Sequence, residues 1–209
     1  ADGARLLRAF AGADEEARAQ ALALLEASGR VATRAGRIAL LGMRGAGKST
    51  LGRMLAERLD LPFVELNREI EAQAGMAVAE IMALYGEEGY RQFEAQALER
   101  VSAGSGPMVL AVAGGIVAEP ATFGTLLRRF HTVWLRATPA EHMNRVLAQG
   151  DTRPMAGNPR AMEQLRRLLV SREPFYAQAE AQLDTSGKSV EEAVEALAAL
   201  MAERGFLQR

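Results

Sequence analysis

Residues 37–51 read RIALLGMRGAGKSTL, and this stretch decides the fold. The apolar run over 37–41 predicts a buried strand, and the helical spacing of apolar residues over 49–59 predicts a helix. Between them, residues 42–49 match G-x-x-x-x-G-K-[ST] in full, in the strand-then-helix context that this motif requires. Glycines let successive backbone N–H groups turn inward around an anion, and the following helix presents its N-terminus to that anion. The stretch therefore predicts a phosphate-binding loop.

The side chains of this loop indicate which phosphates it binds. Lys48 can reach the outer phosphates of a nucleotide, and Ser49 can hold Mg²⁺. We predict phosphate or nucleotide binding by the loop residues Gly42, Arg44, Gly45, Ala46, Gly47, Lys48, Ser49 and Thr50. The motif is specific for a phosphate group and does not by itself show that ATP is hydrolysed or that its phosphoryl group is transferred.

Short apolar runs alternate with helical patterns along the rest of the chain. Strands are predicted over 37–41, 62–66, 108–112 and 132–135, and helices over 78–101, 123–130, 139–147, 162–170 and 189–204. This alternation predicts an α/β protein with a parallel sheet and helices on both faces. Glycine turns at 42–47 and 114–115 both follow strands, so both should lie at the carboxyl edge of the sheet, where ligands bind.

Composition limits the classes of partner. Lys plus Arg number 25 and Asp plus Glu 26, which argues against a chain whose main role is binding nucleic acid. The chain has no cysteine, which excludes disulfides and thiolate metal sites. Without an apolar run long enough to span a membrane we expect no membrane partner and a cytoplasmic location. The Ala-rich, charged start predicts a helical linker over 1–30 ahead of a domain over 31–209; a helix packed on that domain is the alternative.

Segments beyond the loop carry a family resemblance. They are LLGMRGAGKSTLGRMLAERLDLPFVELNREIE, GEEGYRQFE, AVAGGIV, GDTRPMAG and SREPFYAQAE, and their order and spacing resemble those of shikimate kinase, a small P-loop kinase. The resemblance covers about four-fifths of the chain. It implies a three-layer P-loop NTPase fold with a five-stranded parallel sheet, a lid near 150–160, and ATP or ADP with Mg²⁺ as ligands.

The resemblance also implies roles for four arginines. Arg91 and Arg172 correspond to arginines that bind the shikimate carboxylate, Arg153 to the lid arginine that closes over the phosphates, and Arg145 to an arginine near the adenine. Arginine suits these roles because its planar guanidinium binds carboxylate or phosphate through two hydrogen bonds.

Three positions depart from the family's pattern. The family's second strand ends in two aspartates separated by one residue, and this chain has Glu65 and Asn67 there. Glu65 keeps a carboxylate for Mg²⁺, whereas Asn67 cannot be a general base because an amide has no useful basicity at neutral pH. Of three glycines beneath the substrate, the first is replaced by Ala113, and Gly114 and Gly115 remain. These departures argue against an efficient shikimate kinase.

An intact phosphate loop beside an altered acceptor site favours a domain that binds without catalysing. ELNREIE and its surroundings resemble bacterial regulators that join an N-terminal helix-turn-helix domain to a shikimate-kinase-like domain and respond to benzoyl-CoA. That resemblance implies a transcriptional regulator of benzoate degradation, with benzoyl-CoA as effector and little or no kinase activity. DNA would be bound only through a helix-turn-helix domain absent from this chain, and a homodimer would fit palindromic sites.

Two alternatives stay open at this stage. One is an active kinase that converts ATP and shikimate to ADP and shikimate 3-phosphate, or that acts on another small alcohol. The other is a P-loop module that binds a different ligand. ADP release from ATP and shikimate, measured before and after Asn67→Asp, separates the regulator from the kinase.

Overall fold

A computed structural model describes residues 2–22, 34–104, 106–148 and 160–207. Its centre is one parallel sheet of five strands in the order β2-β3-β1-β4-β5. The strands are β1 (Arg37–Leu41), β2 (Phe63–Glu65), β3 (Met108–Ala111), β4 (His131–Arg136) and β5 (Ala181–Asp184). The predicted α/β fold with a five-stranded parallel sheet is confirmed.

Nine helices accompany the sheet in the described residues. They are α1 (Asp2–Gly12), α2 (15–22 as far as it is described), α3 (Lys48–Arg58), α4 (Leu66–Ala74), α5 (Val78–Ala103), α6 (Pro120–Arg129), α7 (Pro139–Ala148), α8 (Ala161–Tyr176) and α9 (Val190–Glu203), with a 3₁₀ turn at Ile116–Ala118. The helices from α3 to α8 lie between strands. Ser189 caps α9 by accepting a hydrogen bond from the Glu192 backbone N–H at 3.1 Å, and the Glu192 carboxylate accepts one from the Ser189 N–H at 2.7 Å. This reciprocal pair is a capping box, formed by a serine and a glutamate three residues apart.

Both faces of the sheet carry buried apolar residues. Alternate residues of a strand point to opposite sides, so each central strand contributes apolar side chains to both faces. In β1, Ala39 and Leu41 belong to the core shared with α4, α5, α6 and α8, whereas Ile38 and Leu40 belong to the core shared with α3 and α9. Full burial of one such aliphatic side chain stabilises the fold by about 1.5–3 kcal/mol. The central strand therefore holds the phosphate loop between two packed helical layers.

Three elements differ from the sequence-based prediction. Strand β5 escaped prediction because it is an edge strand with Gln182 and Asp184 exposed, so it lacks an apolar run. The strand predicted over 62–66 is shorter, because β2 has only three residues and helix α4 begins directly after it at Leu66. Helix α5, predicted as one helix over 78–101, is kinked at Gly86, whose φ of 67° is non-helical.

Parts of two predictions fall outside the described residues. The described part of the predicted linker, 2–22, is helical, and residues 23–33 lie outside the described ranges. The predicted lid, including Arg153, falls almost wholly on 149–159, which also lie outside them. Within the described ranges, no helix is both long and apolar enough to cross a membrane.

Candidate active site

The phosphate loop packs directly against β4 and α7. A Cβ atom on Gly42, which has a φ of 139°, would lie 2.6 Å from the carbonyl oxygen of Leu135. A Cβ atom on Gly45, with a φ of 76°, would lie 2.5 Å from the carbonyl oxygen of His142. Only glycine fits either position, because side chains rarely adopt positive φ and the space is already taken. The glycines predicted from the motif therefore fix the loop at the carboxyl edge of the sheet.

Lys48 folds back over the loop that precedes it. Its Nζ donates to the carbonyl oxygens of Gly42 at 2.9 Å and Met43 at 3.0 Å. Desolvation lowers the pKa of Lys48 to about 8, with Glu65 opposing the shift and Arg44 adding to it. The ammonium group is thus held beside the loop with its charge weakly solvated, which suits it to bind an anion.

Ser49 and Glu65 meet at the start of α3 and the end of β2. Ser49 Oγ donates to Glu65 Oε1 at 2.5 Å, and Arg68 Nε lies 3.4 Å from Glu65 Oε2. A hydroxyl and a carboxylate are hard oxygen ligands, and Mg²⁺ in nucleotide sites commonly takes one or two protein ligands together with phosphate oxygens. The predicted pair therefore fits a magnesium site beside the loop.

A cavity of about 680 Å³ opens along the loop and continues past Glu65. Its lining brings together much of the predicted site, namely Arg44, Gly45, Gly47, Lys48, Ser49, Thr50, Glu65, Asn67, Ala113 and Gly114. Val78, Ala79 and Met82 of α5 form an apolar part of its wall. The other described site residues do not line this cavity, namely Gly42, Ala46, Arg91, Gly115, Arg145 and Arg172.

Asn67 belongs to a hydrogen-bonded cluster on α4 and α5 that we call the acceptor cluster: Asn67, Tyr90, Arg91 and Glu94. Tyr90 Oη lies 3.1 Å from Asn67 Oδ1 and 3.2 Å from Glu94 Oε1. Glu94 is fully buried, and its Oε2 accepts from Arg91 Nη1 at 2.7 Å. Burial raises the pKa of Tyr90, mainly by desolvation and then by the Glu94 charge. Tyr90 is therefore a protonated phenol at neutral pH.

Arg91 has carboxylates on several sides. Besides Glu94, its Nη2 donates to Glu87 Oε1 at 3.1 Å, and its Nε lies 3.8 Å from Glu119 Oε1. The guanidinium lies over the backbone of Gly115, where an added Cβ would come within 2.4 Å of Nη2. A side chain at position 115 would therefore displace the guanidinium, and Arg91 is placed at the glycine turn behind β3.

Arg172 and Tyr176 of α8 lie near Met43 and Gly114. Arg172 Nη1 lies 3.6 Å from the sulfur of Met43, and Tyr176 Oη donates to the carbonyl oxygen of Gly114 at 2.6 Å. Through Tyr176, α8 is connected to Gly114, which lines the cavity. Arg91 therefore contacts the glycine turn behind β3, whereas Arg172 contacts Met43 of the phosphate loop, which packs against Gly114.

A second cavity, of about 270 Å³, lies on the other side of the loop. It shares Gly45, Gly47 and Thr50 with the first cavity, and Arg145, Lys188 and Ser189 also line it. Arg145 donates to the hydroxyl and carbonyl oxygens of Thr185 at 3.1 and 3.3 Å. This location, next to the phosphate loop, is compatible with the predicted place of Arg145 near an adenine.

Sequence reasoning missed four residues of this region: Tyr90, Glu94, Glu119 and His142. Tyr90 and Glu94 are four residues apart on a helix and so share a face, which was the available signal. His142 Nδ1 lies 3.1 Å from the carbonyl oxygen of Arg44, and burial lowers its pKa, so a neutral ring braces the loop from α7. Nothing in the local pattern distinguished Glu119 from an ordinary surface charge.

Comparison with known proteins places this arrangement in a family. Residues 44–202 match the family model described as shikimate kinase. The chain belongs to the shikimate kinase family. A shikimate kinase of Symbiobacterium thermophilum is 40% identical over 170 residues, covering 80% of this chain and 97% of that protein. One of Nitrobacter winogradskyi is 43% identical over 151 residues, covering 72% of this chain and 70% of the relative.

Solved structures show the same family fold. The shikimate kinase of Acinetobacter baumannii, in complex with shikimate, superimposes with a TM-score of 0.73 at 28% identity, over 82% of this chain and 96% of that one. A shikimate kinase of Bacteroides thetaiotaomicron gives a TM-score of 0.70 at 29% identity, over 79% of this chain and 98% of that one. The family is one of ATP-dependent kinases that use Mg²⁺, so the predicted family and nucleotide class are confirmed.

The prediction of a benzoyl-CoA-responsive transcriptional regulator is wrong. Curated relatives that match most of the chain at 35–43% identity are named shikimate kinases, which leaves the effector, the regulatory role and the helix-turn-helix partner unsupported. The prediction gave too much weight to Asn67 and Ala113. Among the described residues Asp60 is the one non-glycine residue with positive φ, so Ala113 fits its turn without backbone strain. Asn67 keeps an oxygen that can accept a hydrogen bond.

Proposed function

We propose that the chain is an ATP-dependent kinase that transfers a phosphoryl group to a hydroxyl of a small carboxylate-bearing alcohol, with shikimate as the first candidate. The observation that carries this proposal is one continuous cavity in which the phosphate loop, the Ser49–Glu65 pair and Asn67 lie together. Family membership and the shikimate found in a related structure support shikimate as the acceptor.

Lys48 and the loop backbone form the nucleotide end of the site. The loop N–H groups and the N-terminus of α3 would surround the phosphates, and Lys48 would exchange its carbonyl partners for phosphate oxygens. Arg145 and the second cavity supply a place for the base beside the same loop. Arg44 and Thr50 also line the first cavity and are further candidates to contact the phosphates.

Ser49 and Glu65 are the residues that would hold Mg²⁺. When bound, the ion neutralises charge that develops on the phosphate oxygens during transfer. Glu65 has a second contact to Arg68, so its two carboxylate oxygens are oriented before any ligand arrives. The longer glutamate side chain therefore reaches Ser49 from the end of β2, where the family carries an aspartate.

Arg91 and Arg172 are the candidates to bind the acceptor's carboxylate, next to the floor made by Ala113, Gly114 and Gly115. Arg91 is held at this floor by its contact with Gly115 and by its bond to Glu94. A carboxylate would replace the exposed Glu87 at Arg91 Nη2, because Glu87 is 71% exposed and is readily displaced into solvent. Buried Glu94 would remain bound and keep the guanidinium oriented.

Asn67 takes the place of the family's second aspartate, and this limits the rate. An amide can hold a hydroxyl in position but cannot remove its proton at neutral pH, and general-base catalysis is typically worth about 10²–10⁴-fold. Phosphoryl transfer depends mainly on positioning and electrostatic stabilisation, so the remaining site supports slow transfer without a base. We therefore expect turnover well below that of an ordinary small-molecule kinase.

The deciding experiment measures ADP release with ATP, Mg²⁺ and shikimate, in the protein and in Asn67→Asp. We expect slow shikimate-dependent ADP release, about 10²-fold faster or more in Asn67→Asp. Lys48→Ala in each background is the control for a contaminating ATPase. If neither the starting protein nor Asn67→Asp released ADP in the presence of shikimate, while both still bound ADP, shikimate kinase activity would be contradicted. Other alcohols would then be screened as acceptors.

A further inference from the structure

Tyr90 lies between two hydrogen-bond acceptors, and its single phenolic proton can be donated to only one of them. Its Oη is 3.1 Å from Asn67 Oδ1 and 3.2 Å from Glu94 Oε1, and both of these oxygens are hydrogen-bond acceptors. A phenol has one proton to donate, and its remaining capacity is as an acceptor. One neighbour must therefore accept from Tyr90, and the other must donate to it.

Glu94 is the neighbour that accepts the proton. Its Oε2 accepts a hydrogen bond from Arg91 Nη1 at 2.7 Å, and a guanidinium in a protein is always charged. Burial raises the pKa of Glu94, and the hydrogen bond and charge of Arg91 oppose that rise. A carboxylate bound to arginine has no proton to give, so Tyr90 must donate to Glu94 Oε1. Its lone pair then faces Asn67.

This arrangement decides which end of the Asn67 carboxamide faces Tyr90. A half-turn about the last side-chain torsion exchanges the oxygen and the amide nitrogen with almost no change of shape, and their partners decide between the two orientations. Because Tyr90 offers a lone pair to Asn67, the stable orientation has the amide nitrogen toward Tyr90. The carbonyl oxygen then faces the cavity that Asn67 lines.

We propose that Tyr90 and Glu94 are positioning residues that hold the Asn67 carbonyl oxygen toward the cavity, where it accepts a hydrogen bond from the hydroxyl that is phosphorylated. The role in transfer rests on the proposed function, whereas the orientation of Asn67 does not. The orientation matters because attack on phosphorus uses a lone pair of that hydroxyl. A carbonyl oxygen accepts a hydrogen bond from the hydroxyl and leaves its lone pair free, whereas an amide N–H would occupy the lone pair. As the new O–P bond forms and the bond from phosphorus to ADP breaks, the hydroxyl proton leaves to a phosphate oxygen or to water.

The orientation can be measured by NMR without any turnover. The chain has three asparagines, at 67, 144 and 158, so selective ¹⁵N labelling gives few side-chain amide signals, and Asn67→Asp identifies the one of Asn67. We expect nuclear Overhauser contacts from this NH₂ group to the ring protons of Tyr90, and a shift of the signal in Tyr90→Phe. An Asn67 NH₂ group without contact to that ring would overturn the proposal.

Kinetics test the role in transfer. We expect Tyr90→Phe to lower kcat/KM for the acceptor about threefold to tenfold, the loss typical of one hydrogen bond, with KM for ATP unchanged. In an Asn67→Asp background assayed at pH 8 the same change should cost less than about twofold, because both ends of a carboxylate accept. Tyr85→Phe, at a half-exposed position on α5, is the matched control and should leave activity unchanged.

The two measurements keep the positioning role distinct from the kinase activity. Equal losses from Tyr90→Phe in both backgrounds would assign Tyr90 a purely structural role and would overturn the proposal. Absence of turnover in both backgrounds would contradict the kinase activity alone, and the contact between the Asn67 amide and the Tyr90 ring would then decide the orientation.

Discussion

Glu119 offers a sharp test of how the site admits an acidic acceptor. Its Oε1 lies 3.8 Å from Arg91 Nε, and its side chain is 42% exposed. Arg91 already binds Glu94 and Glu87, so its single positive charge faces three carboxylates. A substrate carboxylate that displaces Glu87 would still meet the negative charge of Glu119. Glu119→Gln removes that charge and keeps the size of the side chain.

The size of the effect follows from Coulomb's law. Two unit charges about 6 Å apart repel by about 0.7 kcal/mol in bulk water and about 3 kcal/mol at an effective dielectric constant near 20. Because Glu119 is well exposed, a value near the lower limit applies, and about 1 kcal/mol corresponds to about fivefold in KM. We therefore expect Glu119→Gln to lower KM for shikimate about fivefold, with kcat and KM for ATP unchanged.

The assay is ADP release at saturating ATP with varied shikimate, at low salt and at about 0.5 M NaCl. Screening should shrink the difference between Glu119 and Glu119→Gln protein at high salt. Glu88→Gln is the matched control, since it removes the same charge from an exposed position next to Glu87. If Glu119→Gln and Glu88→Gln gave the same KM for shikimate, the reasoning about local repulsion at Arg91 would be refuted.

Two further expectations concern the floor of the cavity and the phosphate loop. Gly115→Ala would place a methyl group 2.4 Å from Arg91 Nη2 and displace the guanidinium, so KM for shikimate should rise about tenfold or more while KM for ATP stays unchanged. Gly124→Ala on α6 is its control, and equal kinetics in the two variants would contradict the clash. Because the pKa of Lys48 is lowered to about 8, its charge is present below pH 8 and lost above it. ADP affinity measured by calorimetry should therefore fall between pH 7 and pH 9, and a slope just as steep in Lys48→Met would contradict this origin.

The nucleotide end of the site is predictable because its chemistry is local. The motif over 42–49 specifies consecutive residues, and the backbone geometry that they require is the geometry found at Gly42 and Gly45. The strand before the loop and the helix behind it follow from an apolar run and from helical spacing. The position of the loop at the carboxyl edge follows from the parallel sheet.

The acceptor end is harder to predict because its contacts join distant parts of the chain. Arg91 could be recognised from its motif, and Glu94 lies one helical turn away on α5. The other contacts of the cluster are not local, because Asn67 comes from α4 and Glu119 directly precedes α6. Strand β5 escaped prediction for a related reason, since its assignment depends on pairing with β4 and not on its own polar sequence. Contacts of this kind become visible only when the sheet brings the segments together.

Asn67 shows how a single position can mislead when its partners are unknown. Taken alone, an amide in place of a carboxylate indicates lost catalysis. In its surroundings the exchange has a consistent chemistry: Glu94 is already a buried carboxylate, and a second carboxylate across the same Tyr90 hydroxyl would add repulsion within about 6 Å. An amide accepts and donates, so it satisfies Tyr90 and still offers an oxygen to the cavity. The substitution therefore removes the general base and, at the same time, completes the hydrogen bonding of the acceptor cluster.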